Sequence, residues 1–275
     1  MSEKVTKIEA KQQSVSKYRR FVEKWRGKWN AQKRKSKAWK VGLNIAEYLL
    51  LCAWVWVCLE VSQYIVQGAV KLLVYWGMDF SAHMALAQTV FSAIVYAICL
   101  AITIALPWLL LGEKTTRDEL GLRGLFTWTD IGLGVAGFVV AMIAIFVVTA
   151  IVAIIFPWFD ANETQDVGFS NLNGFWDMMF AFVTLVVIAP LCEEVIFRGW
   201  LYGKLRARTW AIPAIILTSI MFGIAHGQWN VGVTVAVMSV VMCLIREMTG
   251  TIWGGLIIHM LKNGLAYYLL FVRFV

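Results

Sequence analysis

Long apolar stretches dominate the chain, and polar positions gather between them rather than alternating within them. A membrane-spanning helix needs about 20 mostly apolar residues to cross the hydrocarbon core. Seven stretches approach that length: 42–66, 85–111, 130–156, 174–198, 211–227, 230–246 and 251–273. The fifth and sixth are short and closely joined. Segment 67–84 carries Val70, Leu72, Leu73, Tyr75 and Trp76, a pattern that predicts an additional helix lying on the membrane surface. Backbone polar groups cannot face lipid unpaired, so spans of this kind form helices. The expected fold is an all-α, polytopic transmembrane bundle of about seven spans, or eight helices with the interfacial one.

Composition reinforces this picture. Of 275 residues, 60% are hydrophobic and only 15% charged, and the mean hydropathy is +0.70. A soluble domain of this length would have roughly a quarter of its residues charged. Charge is also unevenly placed: residues 1–40 hold 14 Lys or Arg and 3 Asp or Glu, whereas 41–275 hold 11 and 14. Within the head, Tyr18, Phe21, Val22, Trp25 and Trp29 recur at steps of three and four, with Lys17, Arg19, Arg20, Lys24, Arg26 and Lys28 between them. As a helix, this segment would set an aromatic stripe opposite a cationic face, suited to anionic lipid head groups. Nucleic acid is the other partner so basic a segment could take. The immediately following apolar span favours the membrane, and no nucleic-acid partner is expected. The head lacks the short apolar core and cleavage site of a secretory signal.

Basic residues orient the bundle. A cytoplasmic N-terminus puts the head, Lys114, Arg117, Arg123, Arg198, Lys204, Arg206, Arg208 and Arg246 on one side, leaving only Lys71 and Arg273 on the other. The loop 157–173 has Asp160, Glu163 and Asp166 but no Lys or Arg. Such asymmetry predicts N-terminus in and C-terminus out. The expected organisation is a basic cytoplasmic or interfacial segment at 1–40, three spans over 41–173, and four spans over 174–275. The compact body and the absence of an organellar targeting signal point to a bacterial plasma membrane. Cys52, Cys58, Cys99, Cys192 and Cys243 lie in or near spans without a C-x-x-C, and read as small buried residues.

A few polar residues do not fit an apolar bundle. Glu47 and Glu60 lie near span ends, His83 near an interface, and Lys262 can snorkel or pair with an acid. Glu193, Glu194 and Arg198 are different, because they interrupt the distal part of the fourth span, in Ala-Pro-Leu-Cys-Glu-Glu-Val-Ile-Phe-Arg-Gly-Trp. Glu194 and Arg198 are four apart and share a helix face, which permits a charge-assisted pair. Glu193 points about 100° away. That leaves one carboxylate without an in-helix partner and available as a general base. His226 closes the fifth span in Phe222-Gly-Ile-Ala-His226, and His259 and Asn263 share a face of the seventh. From the helix rise, Glu193 lies roughly 16 Å from Lys204, His226 roughly 21 Å past Ile212, and His259 roughly 12 Å past Thr251. These depths allow the three to meet. Charged and polar groups within spans are costly and mark function by default.

These motifs, in this order, resemble the CPBP family: type II CAAX-type prenyl endopeptidases and bacteriocin-processing or immunity proteins, also called Abi proteins. The resemblance covers roughly 174–273 and rests on Glu193-Glu194-Val-Ile-Phe-Arg198-Gly-Trp-Leu, Phe222-Gly-Ile-Ala-His226 and His259-Met-Leu-Lys-Asn263. It implies an intramembrane endopeptidase of the glutamic type, acting on CAAX-type C-termini or on leader peptides. In that reading Glu193 activates a water, His226 helps hold it, His259 and Asn263 stabilise the oxyanion, and Glu194 with Arg198 orients the site. No cofactor is implied. Zinc is the rival mechanism, since Glu193, His226 and His259 could supply one carboxylate and two imidazoles. Two other functional classes remain open: a non-catalytic membrane adaptor or bacteriocin-immunity protein that binds a peptide or partner protein, and a transporter with a carboxylate proton relay. The sequence lacks the inverted repeats expected of the latter.

Overall fold

The computed structural model describes residues 45–273, apart from positions 162, 166, 170, 171 and 173 and the side chain at 111. The basic segment 1–40, with its amphipathic and lipid-binding reading, lies outside the described residues. From Ala46 onward the chain forms one unit. Among the described residues there is no strand. Seven apolar helices follow one another: α1 (Ile45–Tyr75), α2 (Ser81–Leu110), α3 (Trp128–Ile155), α4 (Phe175–Arg208), α5 (Ala211–Ile224), α6 (Trp229–Thr249) and α7 (Trp253–Val272). All but α5 are long and apolar enough to cross a membrane. This is the expected polytopic helical bundle.

Three boundaries differ from those expected. The separate surface helix at 67–84 does not form, because α1 continues without a break to Tyr75 and the chain then turns through Trp76 and Gly77. No proline removes a hydrogen bond before that point, so the helix simply runs on. The fourth span extends ten residues past 198, which places Glu193 and Glu194 inside a long helix rather than near its end. Lys204, Arg206 and Arg208 thus form its basic C-terminal turns, where cations oppose the helix dipole. Arg198 is fully buried, so it does not count among the loop charges that orient the chain. The fifth span is the short one: α5 has 14 residues, about 21 Å at the helical rise. His226 falls in the turn that follows it.

Side chains on the outer faces are large and apolar, as lipid contact requires: Phe146, Ile154, Leu50 and Ile143 are all exposed. The interior is built from α4, α5 and α6, with Phe197, Leu201, Phe222, Met238 and Met242 fully buried together. The α5–α6 crossing depends on two glycines. A Cβ on Gly223 would meet the Gly232 carbonyl at 2.7 Å, and one on Gly232 would meet the Gly223 carbonyl at 3.0 Å. Small residues at such a crossing let the backbones touch. At the start of α3, Thr127 and Asp130 cap reciprocally, and Asp130 Oδ1 also accepts from the Thr251 hydroxyl at 2.8 Å. That contact fixes α3 against the α6–α7 turn.

The positively charged end of the bundle is closed by specific pairs. Arg206 donates to both oxygens of Glu247, with Nη2 at 2.8 Å from Oε1 and Nε at 3.0 Å from Oε2, and Tyr202 donates to Oε2 at 2.6 Å. Arg208 of α4 pairs with Glu47 of α1. All five cysteines are free, and only Cys192 is less than fully buried.

Candidate active site

Helix α4 is not uniform. Residues Val183–Ile188 and Val195–Leu201 are wound as π-helix, and a six-residue α-helical piece, Ala189–Glu194, separates them. Such π-turns are uncommon and recur at functional positions. Pro190 adds to the irregularity. Ala189 N–H donates to the Thr184 carbonyl five residues back. In that register residue 190 would donate to Leu185, but proline has no N–H. The Leu185 carbonyl instead accepts from Asn263 Nδ2 of α7 at 2.9 Å. Asn263 has two amide hydrogens, so one ties α7 to the broken register of α4 and the other is left over.

Glu194 and Arg198 pair at 2.9 Å with no exposure on either side chain. Arg198 is enclosed on its other sides by uncharged groups: its Nη2 lies 3.3 Å from Met242 Sδ, and its guanidinium sits 4.0 Å over the Phe222 ring. Glu194 Oε1 also receives His259 Nδ1 at 3.0 Å. The Glu194 carboxylate packs closely against α7 at Gly255, where an added Cβ would stand 3.0 Å from Oε2. With its Nδ1 proton given to Glu194, His259 directs Nε2 toward Glu193 Oε2, 3.7 Å away. The other oxygen, Glu193 Oε1, accepts from the Tyr96 hydroxyl of α2 at 2.5 Å. Glu193 Oε2 is itself buried and makes no hydrogen bond to the protein.

His226 lies half-buried at the edge of this cluster. Its Nδ1 is 2.8 Å from the Phe222 carbonyl, which can only accept, so Nδ1 carries the proton and neutral Nε2 is an acceptor. Phe222 connects the histidines: the rings of His226 and His259 stand edge-on to it, at 4.9 Å and 5.6 Å between centroids.

Thus Glu193, Glu194, Arg198 and His259 come together directly. His226 joins through Phe222, and Asn263 through the π-turn of α4. Among the described residues no group of three or more His, Cys, Asp or Glu is arranged to hold a metal ion. Sequence reasoning missed Tyr96 and Gly255. A tyrosine within an apolar span offers a faint signal, because a hydroxyl buried there needs a partner. Gly255 has no signal separable from ordinary small-residue helix packing.

Similarity to known proteins falls on the same helices. Residues 175–265 match the family model described as type II CAAX prenyl endopeptidase Rce1-like. The chain is also 24% identical, over 197 residues, to a Bacillus subtilis (strain 168) protein named "Putative membrane peptidase YdiL"; the match covers 68% of this chain and 74% of the relative. No solved structure matches it. The family region begins at α4 and ends within α7, so it contains every motif residue of the cluster. Those four helices are thus the part of the chain that resembles the CPBP family of membrane-embedded proteases.

Proposed function

We propose that this protein is a glutamic intramembrane endopeptidase, in which Glu193 activates a water for attack on a peptide carbonyl. The observation that carries the reading is the state of the Glu193 carboxylate. One oxygen is held by Tyr96, and the other is buried, without a protein partner, and turned toward His259. A base needs such a free lone pair at a fixed place. His226, protonated on Nδ1, offers Nε2 as an acceptor that can hold the same water. Glu193 takes one water proton as the oxygen attacks. The negative charge that develops on the carbonyl oxygen is met by His259 and by the remaining Asn263 amide hydrogen. Collapse of the tetrahedral intermediate breaks the C–N bond, and Glu193 returns its proton to the leaving amine. Each oxyanion donor of this kind is worth about 3 kcal/mol. Glu194 and Arg198 do not touch the reacting atoms; they fix the orientation of His259.

The substrate class is a peptide or protein segment presented within the membrane, with CAAX-type C-termini as the first class to test and leader peptides as the second. The Bacillus relative and the multi-pass architecture support a location in a bacterial plasma membrane. The test is cleavage of quenched peptides of both classes by purified full-length protein in lipid nanodiscs. Wild type cleaves, whereas Glu193→Gln and His226→Ala lose at least two orders of magnitude in kcat. Cleavage that survives both substitutions overturns the reading and leaves a peptide-binding adaptor as the better description.

A further inference from the structure

The family region stops short of α2, yet α2 supplies the hydrogen bond on Glu193. We propose that Tyr96 is a positioning residue for the hydrolytic base: its hydroxyl occupies Oε1 of Glu193 and so leaves Oε2 to act on water. The inference rests on the general-base reading of Glu193 and extends it to a residue outside 175–265.

Three observations point this way. The Tyr96 hydroxyl lies 2.5 Å from Glu193 Oε1, a length typical of O–H donors to carboxylates, the stronger class of hydrogen bond. The two carboxylate oxygens are therefore unequal, because Oε2 has no protein donor and faces His259 Nε2. The terminal torsion of a glutamate is otherwise broad and nearly two-fold, so without an anchor either oxygen could face the water. Finally, α2 is itself held against α4. Thr89, seven residues before Tyr96 and on the same helix face, accepts from the Thr184 hydroxyl at 2.8 Å and donates to the Phe180 carbonyl at 3.1 Å. A phenol carried on a docked helix is a fixed point from which to orient the carboxylate. The N-terminal spans thus complete the site rather than only surround it.

Docking and positioning separate experimentally. Full-length wild type, Tyr96→Phe, Thr89→Val and Glu193→Gln are compared in nanodiscs for cleavage of an internally quenched farnesylated CAAX peptide. In parallel, infrared difference spectra locate the carboxyl band that disappears in Glu193→Gln. Tyr96→Phe keeps the ring and loses only the hydroxyl. It should lower kcat roughly tenfold to hundredfold, the worth of one hydrogen bond to a charged group, with KM unchanged and the Glu193 band displaced. Thr89→Val removes the docking hydroxyl without touching Glu193; it should lower the unfolding temperature and leave kcat and the band where they are. A Tyr96→Phe protein with wild-type kcat or an unmoved band overturns the inference, whatever its stability, and the band decides even if the peptide is not cleaved. Wild-type cleavage by Glu193→Gln overturns the general-base reading and the inference with it. An inactive Glu193→Gln beside an unaffected Tyr96→Phe overturns the inference alone.

Discussion

Arg198 gives the sharpest test of how the site is held together. It is fully buried, its one carboxylate partner is Glu194 at 2.9 Å, and Met242 and Phe222 enclose the rest of its guanidinium. In Arg198→Met the methionine fills much of the space, but Glu194 is left as a buried carboxylate without its cation. Breaking a buried pair from one side costs about 3–5 kcal/mol. For a chain of this size that corresponds to a fall of roughly 6–20 °C in unfolding temperature. Replacing both partners is a different perturbation. Glu194→Met with Arg198→Met removes both charges, and an apolar pair of similar volume is often neutral or better. One cost persists, because His259 Nδ1 loses its acceptor at 3.0 Å, and an orphaned buried donor costs about 1–3 kcal/mol. The double variant should thus lie between Arg198→Met and wild type, and should be inactive because His259 is no longer fixed. Thermal unfolding in nanodiscs, monitored by intrinsic tryptophan fluorescence, measures the first quantity and peptide cleavage the second. Equal unfolding temperatures for the single and double variants would falsify the claim that the pair is mutually compensating.

Other expectations follow from particular contacts. In Gly255→Ala the new methyl lands 3.0 Å from Glu194 Oε2 and 3.5 Å from Met242 Cβ; the better helix propensity of alanine offsets the crowding, so stability stays near wild type while kcat falls as Glu194 is displaced. Gly223→Ala meets the Gly232 backbone at 2.7 Å, which cannot yield as a side chain would, and the overpacking should cost about 1–3 kcal/mol in thermal unfolding. Asn263→Ala orphans the Leu185 carbonyl and removes an oxyanion donor together. Adding Pro190→Ala restores an N–H to α4, so the double variant should regain stability without regaining cleavage; regained cleavage would show that Asn263 acts only as a clamp. Chelation with phenanthroline should leave the rate unchanged, and loss of activity that zinc restores would replace the glutamate mechanism with a metal-dependent one.

How much of this was legible in the sequence varies with the physics involved. Spans are legible because hydrocarbon imposes a length and a composition on every helix that crosses it, and six helices reach that length. The Glu194–Arg198 pair is legible because i,i+4 neighbours share a face whatever surrounds them, even with π-helix beginning at residue 195. Helix ends are less so. Nothing in Gly199-Trp-Leu-Tyr-Gly203 says that α4 must continue to Arg208, because the reasons lie on α6 in Glu247 and on α1 in Glu47. Proline at 190 is visible, but the carbonyl it frees is known only once the π-register is known. With an α-helical register the orphan would be Val186, and the clamp by Asn263 would make no sense.

Tyr96 lies at the far end of that scale, and its obscurity has a physical cause. A buried carboxylate advertises itself in a hydrophobic run because its own desolvation is costly. A tyrosine does not, because most of its surface is apolar and it suits a span or an interface equally well. The partner that stabilises a conspicuous charge can therefore be inconspicuous. The same holds for Phe222, Met242 and Gly255, which accept Arg198 and Glu194 through a ring face, a sulfur and the absence of a side chain. In a membrane bundle the motif residues declare where the chemistry is. What makes that chemistry specific to one geometry is carried by neighbours that hydropathy cannot distinguish from packing, and in this chain the most consequential of them comes from a helix that the family region does not include.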